Sequence, residues 1–285
     1  MFRYFLLLFL FCPTPLWALV PNPTNNVEYS LSADSAKGRE QTLGFALSPS
    51  KLANLDVTIG SSIIPLEDGT ENTSSSYGLG VDIFPESPLT LGSGVNYWGL
   101  KDNLQVLTYD FHLEYKNGNF AIFMAPGMGS VNATTTETVG AQDSTKSEMQ
   151  YIKTKISLYD LSQWNLKFYY EKYNFQSDID GLAAEDAVDV FSESTLYLSS
   201  HLISEMAALE ALYGFNDEWD LGAYYELSQS ATDRSKTQLA SFLADYYPAD
   251  PWRISLEVGH YRPFQETADV GSSANFASLS SRYSF

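Results

Sequence analysis

The chain has 285 residues and a formal net charge of −19, from 16 Lys and Arg against 35 Asp and Glu. That balance excludes a nucleic-acid partner, because phosphate binding needs clustered Lys and Arg. The single cysteine, Cys12, sits in an apolar N-terminal run, so the rest of the chain has no disulfide to draw on.

Arg3 precedes the apolar stretch Phe5–Phe11, and Pro13–Ala18 leads to a small residue. This order reads as a secretory signal peptide over residues 1–18, with residues 19–285 forming one domain. The apolar stretch is far shorter than the roughly 20 residues of a helical span. Bulky Phe11 before Cys12 argues against lipoprotein processing.

Beyond Ala18 no apolar run reaches helical transmembrane length. What recurs instead is strict alternation of apolar and polar residues, which places successive side chains on opposite faces of a strand. It predicts strands near 27–33, 41–48, 53–61, 77–84, 89–99, 104–116, 119–130, 149–159, 164–175, 205–215, 219–229, 237–247, 252–261 and 276–285. The clearest case is Leu107, Tyr109, Phe111, Leu113 and Tyr115 against Thr108, Asp110, His112, Glu114 and Lys116. Partial alternation in Thr195–Ser204 leaves 12 or 16 strands open beside about 14.

Tight turns (Pro49–Leu52, Pro85–Pro88, Asn117–Gly118, Asp160–Gln163, Asn216–Glu218, Pro248–Pro251) alternate with longer polar connections. The longer ones include Asp34–Glu40, Ser62–Ser76, Asn132–Glu148, Gln176–Ser194 and Arg262–Asn275. Trp164, Trp219, Trp252 and Tyr115 end apolar faces, as interface girdles require. Together these features predict an all-β fold, an antiparallel transmembrane β-barrel with short turns at one end and longer loops at the other.

The chain ends on a strand with Ala277, Leu279, Tyr283 and Phe285 on one face and Ser278, Ser280, Arg282 and Ser284 on the other. This resembles the C-terminal β-signal of Gram-negative outer-membrane barrels. The resemblance implies residence in the outer membrane and assembly-machinery recognition through Leu279, Tyr283 and Phe285. It implies contact with lipid and lipopolysaccharide, and it selects no specific family.

The inward face would carry the acids Glu28, Asp56, Asp82, Asp110, Glu114, Glu171, Glu210, Asp220, Glu226, Asp245 and Glu257. Its bases would be Lys116, Lys153, Lys155, Lys167, Arg253 and Arg282. The expected pore lining is Asp56, Asp82, Asp110, His112, Glu114, Lys153, Lys155, Lys167, Glu171, Glu226, Arg253 and Glu257, with acids on strands 2 to 6 facing lysines on strands 8 and 9 across the bore. Inward glycines (Gly78, Gly80, Gly92, Gly94, Gly127, Gly129) leave room along one wall, or relieve strain where a sheet curves.

Enzyme chemistry is poorly supplied. The Asp110–His112 step resembles the Asp–His pair of omptin proteases, but no aspartate pair is visibly placed opposite it. Ser199, Ser200 and His201 resemble outer-membrane phospholipases in residue type only, without the Asn partner. No His or Cys cluster has metal-ligand spacing, and no cofactor or catalytic residue is expected. The sequence therefore points to a monomeric, porin-like passive channel for small hydrophilic solutes with a mild cation preference. The alternative is a non-conducting surface barrel whose acidic loops, 176–194 above all, bind a partner, divalent cations or lipopolysaccharide.

Overall fold

The computed structural model describes residues 25–35, 38–65, 71–100, 104–136, 142–176, 203–231, 234–264 and 273–285. The signal peptide over 1–18, Ser199–His201 and most of the acidic loop 176–194 lie outside these residues.

The strands are β1 (Asn26–Asp34), β2 (Arg39–Ser50), β3 (Ala53–Pro65), β4 (Glu71–Ile83), β5 (Leu89–Leu100), β6 (Leu104–Asn117) and β7 (Phe120–Thr136). They continue as β8 (Gln142–Leu161), β9 (Trp164–Phe175), β10 (Ile203–Asn216), β11 (Trp219–Ser230), β12 (Lys236–Ala249), β13 (Trp252–Pro263) and β14 (Ala274–Ser284). Each pairs antiparallel with its chain neighbours, and β1 pairs with β14, so the sheet closes. All fourteen predicted strands are present, and the described part of Thr195–Ser204 adds no further strand, because Ile203 and Ser204 begin β10.

Closure leaves no edge strand, so each strand has a hydrogen-bonded neighbour on both sides. The seam runs in unbroken register from Asn26↔Ser284 to Asp34↔Phe276. Beyond it, the Phe285 amide donates to the Asn25 carbonyl at 2.7 Å.

The turns at one end are tight. Lys51–Leu52, Gly118–Asn119, Ser162–Gln163, Asp217–Glu218 and Asp250–Pro251 each join two strands directly. Gly118 adopts φ 56°, a conformation that glycine reaches without strain. This turn end also holds the start of β1 and the end of β14, where Asn26 pairs with Ser284. The opposite, loop end holds the longer connections, the arrangement of barrels with short periplasmic turns and longer external loops.

Two connections are shorter than the sequence suggests. Ser62–Ser76 and Asn132–Glu148 read as loops, yet β3–β4 pair as far as Pro65↔Glu71 and β7–β8 as far as Thr136↔Gln142. Past the bilayer a strand needs no apolar face, so polar residues extend the ladder with no periodic signal. Ser62 and Ser74 hydroxyls meet inside at 2.6 Å.

The dyad sets the two surfaces. Phe111, Phe242, Leu256, Val258 and Leu279 point out and stay exposed, whereas Glu226, Lys167 and Glu114 point in and are buried. An exterior of exposed Leu, Phe and Val around a charged interior is the inverse of a water-soluble domain, and it demands lipid. At the turn end an aromatic belt marks one interface: Trp164 packs on Tyr213 at 5.0 Å, Trp219 on Tyr246 at 4.5 Å and Trp252 on Tyr283 at 4.8 Å between ring centroids. Each pair joins the first residue of a rising strand to the end of its neighbour, where rings with one wet edge are most stable.

Arginine at Leu256, in the middle of the outward face of β13, is expected to cost about 2–4 kcal/mol of folding free energy in lipid vesicles. Arginine at inward Ser280 on β14 is expected to cost clearly less. Urea unfolding of both variants in the same vesicles checks the assignment of the two faces.

Candidate functional site

Among the described residues the inner wall gathers charged side chains from most of the strands, and its register decides which of them meet. On β3 to β6 two adjacent rows matter. One runs Asp56↔Gly80, Gly80↔Gly94 and Gly94↔Asp110, and continues to Gly127 on β7. The next runs Asp82↔Gly92 and Gly92↔His112.

The glycines let carboxylates approach across a strand. His112 Nε2 lies 2.6 Å from Asp82 Oδ1, although Asp82 is two strands away. The contact passes over Gly92, where a β-carbon would collide with both the imidazole and the carboxylate. The His112 Nδ1 lies 3.4 Å from Asp110 Oδ1, so the ring is held between two carboxylates. Asp56 stands over Gly80, where an added β-carbon would come no nearer than 3.6 Å to it. The result is a wall of three aspartates and one histidine over a glycine floor. The sequence shows the Asp110–His112 step, but Asp82 joins it only through the register. On the far side Phe123 packs on His112 at 5.3 Å between ring centroids.

The other wall residues pair locally. Lys167 Nζ donates to Glu210 Oε1 at 2.5 Å, and Tyr169 donates to the other oxygen at 3.1 Å. Arg253 pairs with Asp245 at 2.5 Å, and Arg282 pairs with Glu28 at 2.6 Å. Lys116 pairs with Glu114 at 2.8 Å. Tyrosines and a serine satisfy further carboxylates: Tyr173 donates to Glu171, Tyr224 to Glu226, Tyr247 to Asp220 and Ser241 to Glu257. Lys153 lies 5.2 Å from the Tyr151 ring and Lys155 5.2 Å from the Phe123 ring, distances at which the ring face attracts the ammonium.

Each expected lining residue, Asp56, Asp82, Asp110, His112, Glu114, Lys153, Lys155, Lys167, Glu171, Glu226, Arg253 and Glu257, falls on the inward parity of its strand. One part of the sequence reading needs correction. In a ring of fourteen strands the diametric partner lies seven strands away, yet β8 is two strands from β6 and five from β3. The β8 lysines therefore stand near the β6 acids rather than across from them, while β9 lies three strands from β6 and its Lys167 bonds to adjacent β10. Opposite β4 to β6 lie β11 to β13, with Glu226, Asp245 and Glu257. Glu40, assigned to a loop from the sequence, is an inward, buried member of β2 that accepts from Thr42 at 3.3 Å. Its i, i+2 spacing to Thr42 and Gly44 was the available signal.

Toward the loop end the inner wall turns apolar. Trp98 and Leu100 on β5, Leu104 and Val106 on β6, and Val131 on β7 are inward and buried. A smaller apolar group, Leu239, Tyr261, Ala274 and Phe276, lines β12 to β14. Among the described residues no group of His, Cys, Asp and Glu is arranged to hold a metal ion.

No protein-family model matches the chain, and no curated protein matches it in sequence. Among solved structures the chain is similar to the CymD monoaromatic hydrocarbon channel, with a TM-score of 0.57 at 11% identity over 95% of this chain and 92% of that one. It is similar to a deltaS2S3 mutant of the TodX monoaromatic hydrocarbon channel, with a TM-score of 0.51 at 12% identity over 94% and 91%. It also matches the KdgM porin in complex with disordered oligogalacturonate, with a TM-score of 0.46 at 10% identity over 91% and 99%. At these identities the likeness is one of fold: the chain has the closed-barrel fold of the Gram-negative outer-membrane β-barrels.

Replacing Lys167 by Met leaves the Glu210 carboxylate buried with only Tyr169 as donor. The expected cost is about 3 kcal/mol by urea unfolding in vesicles. Combining it with Glu210→Leu, which removes the orphaned charge, is expected to restore most of the loss.

Proposed function

We propose that this protein is a passive channel of the outer membrane, acting as a monomer, that passes small hydrophilic solutes with a mild preference for cations. The observation that supports the reading best is the glycine-floored wall of Asp56, Asp82, Asp110 and His112. Small residues leave space beside the carboxylates, and carboxylates in a low-dielectric wall raise the local concentration of cations. Four ion pairs neutralise part of the remaining wall charge, while Glu171, Asp220, Glu226 and Glu257 are held by hydroxyls that add no positive charge, so the excess of acids on the wall as a whole supports the same bias. The reading gives the wall no catalytic role and treats the His112 cluster as part of the permeation surface.

Insertion through the terminal strand belongs to the same reading. Leu279, Tyr283 and Phe285 lie on the outward face of β14 or directly follow it, with Tyr283 and Phe285 stacked at 6.2 Å between centroids, where an assembly machine could grip them before the seam closes.

A second reading rests on the apolar inner stretch of Trp98, Leu100, Leu104, Val106 and Val131. That lining suits an apolar or amphipathic solute, the class named for CymD and TodX.

The test is single-channel recording of the refolded protein in a planar bilayer under a KCl gradient. Discrete openings with a reversal potential displaced toward cations are expected. The double variant Asp82→Asn, Asp110→Asn is expected to move that potential toward zero while openings persist. A folded, heat-modifiable barrel that never conducts would overturn the channel for hydrophilic solutes. Uptake of a small aromatic into vesicles holding such a silent barrel would establish the second reading in its place.

A further inference from the structure

We propose that the outward face of β12 and β13 at the loop end binds the phosphorylated headgroup of a lipid of the lipid A type. The proposal starts from where the exposed cations stand. Lys236 and Gln238 on β12, and His260 and Arg262 on β13, share the outward parity of their strands, and Lys236, His260 and Arg262 are exposed. The register pairs Gln238 with Arg262 and Ala240 with His260. Arg262 is therefore flanked by Lys236 on the diagonal and by His260 two residues along its own strand, each about 7 Å away between Cα atoms.

Among the described residues these cations have no counter-charge: no carboxylate lies within ion-pair distance of Lys236 or Arg262. His260 bonds only to the amide oxygen of Asn275, at 2.9 Å. The nearest outward acid in register, Glu205, lies two strands from Lys236 and already accepts from Tyr170 at 2.9 Å. In a chain of 35 acids and 16 bases, three cationic or titratable side chains thus gather on the lipid-facing side with no described carboxylate beside them.

What lies beneath the patch fits the rest of a lipid. Directly below on the same outward face come Phe242, Val258 and Leu227, all exposed, as a surface for acyl chains. At the boundary the Tyr225 hydroxyl donates to Gln238 Oε1 at 3.2 Å, which leaves the two N–H groups of the Gln238 amide as further donors. Cationic and amide donors above an apolar strip match a headgroup bearing phosphates above its chains.

The two ends of the barrel differ in sign, which argues for one leaflet. At the turn end the exposed charges are Glu86, Asp160, Asp217, Glu218 and Asp250, with Lys51 alone opposing them. Such a rim repels anionic headgroups. Among the described residues the other outward cations near the loop end, Arg39 on β2, Lys146 on β8 and Lys172 on β9, each stand without a second outward cation on the same or the adjacent strand at that level, so the grouping on β12 and β13 is local.

The test uses the full refolded chain in neutral detergent micelles and native mass spectrometry with three probes: bis-phosphorylated lipid A, its dephosphorylated form and inorganic phosphate. Lipid A is expected to remain bound, and the dephosphorylated form is not. The double variant Lys236→Gln, Arg262→Gln is expected to weaken lipid A binding by roughly thirtyfold. It is expected to leave heat-modifiability and conductance unchanged. Arg262→Lys, which keeps the charge, is expected to retain most of the affinity, and Arg39→Gln, on β2 away from the patch, all of it. Equal binding by wild type and double variant, or by the two lipid forms, would overturn the proposal. So would displacement of lipid A by inorganic phosphate at equal concentration, which would mark a free-phosphate site.

Discussion

Everything in this molecule depends on backbone hydrogen bonding in a medium that offers none. A peptide group unpaired in hydrocarbon costs several kcal/mol. A sheet satisfies its groups only if it has no edge, so β1 must meet β14. Once the ring closes, every strand has two neighbours and the alternation of side chains has one meaning: odd and even residues belong to lipid and lumen. The exposed Leu, Phe and Val outside and the buried Glu, Lys and Arg inside are two consequences of that closure.

The interior then faces its own difficulty. Charges on the inner wall crowd together, and each buried one must find a partner or carry a desolvation cost. The register resolves most of this locally. Lys167 finds Glu210 on the next strand, Arg253 finds Asp245, Arg282 finds Glu28 across the seam, and tyrosine hydroxyls take up the carboxylates of Glu171, Glu226 and Asp220. The stretch over Gly80, Gly92 and Gly94 behaves differently. There the missing side chains bring Asp82 and His112 together across an intervening strand and gather three aspartates on one wall. Pairing by neighbours and clustering over glycine give the wall its uneven sign.

The outer surface shows the same economy. Aromatic pairs such as Trp219 with Tyr246 fix one interface at the turn end, and exposed cations on β12 and β13 sit at the other. The polarity of the barrel in its membrane is written in loop length, aromatic placement and charge at once. These three signals agree because each answers to the same pair of boundaries between hydrocarbon and water.

The sequence by itself determined the barrel fold, the positions of the strands and the two faces of each clear strand, because a period of two is local and survives without knowledge of partners; the count of fourteen, against 12 or 16, was decided by the structure. Leu107 through Lys116 can be sorted into two faces with no structure at all. It also exposed its limits locally: Glu40, and the hairpin extensions of β3–β4 and β7–β8, lie past the apolar band, where pairing continues but the periodic contrast ends. Only the tertiary structure decided which inward residues meet. That Asp82 reaches His112 over Gly92, that Lys167 serves Glu210, and that the β8 lysines stand near the β6 acids all follow from register and ring order. Those are relations between distant stretches of chain, and no stretch records its partner in its own pattern.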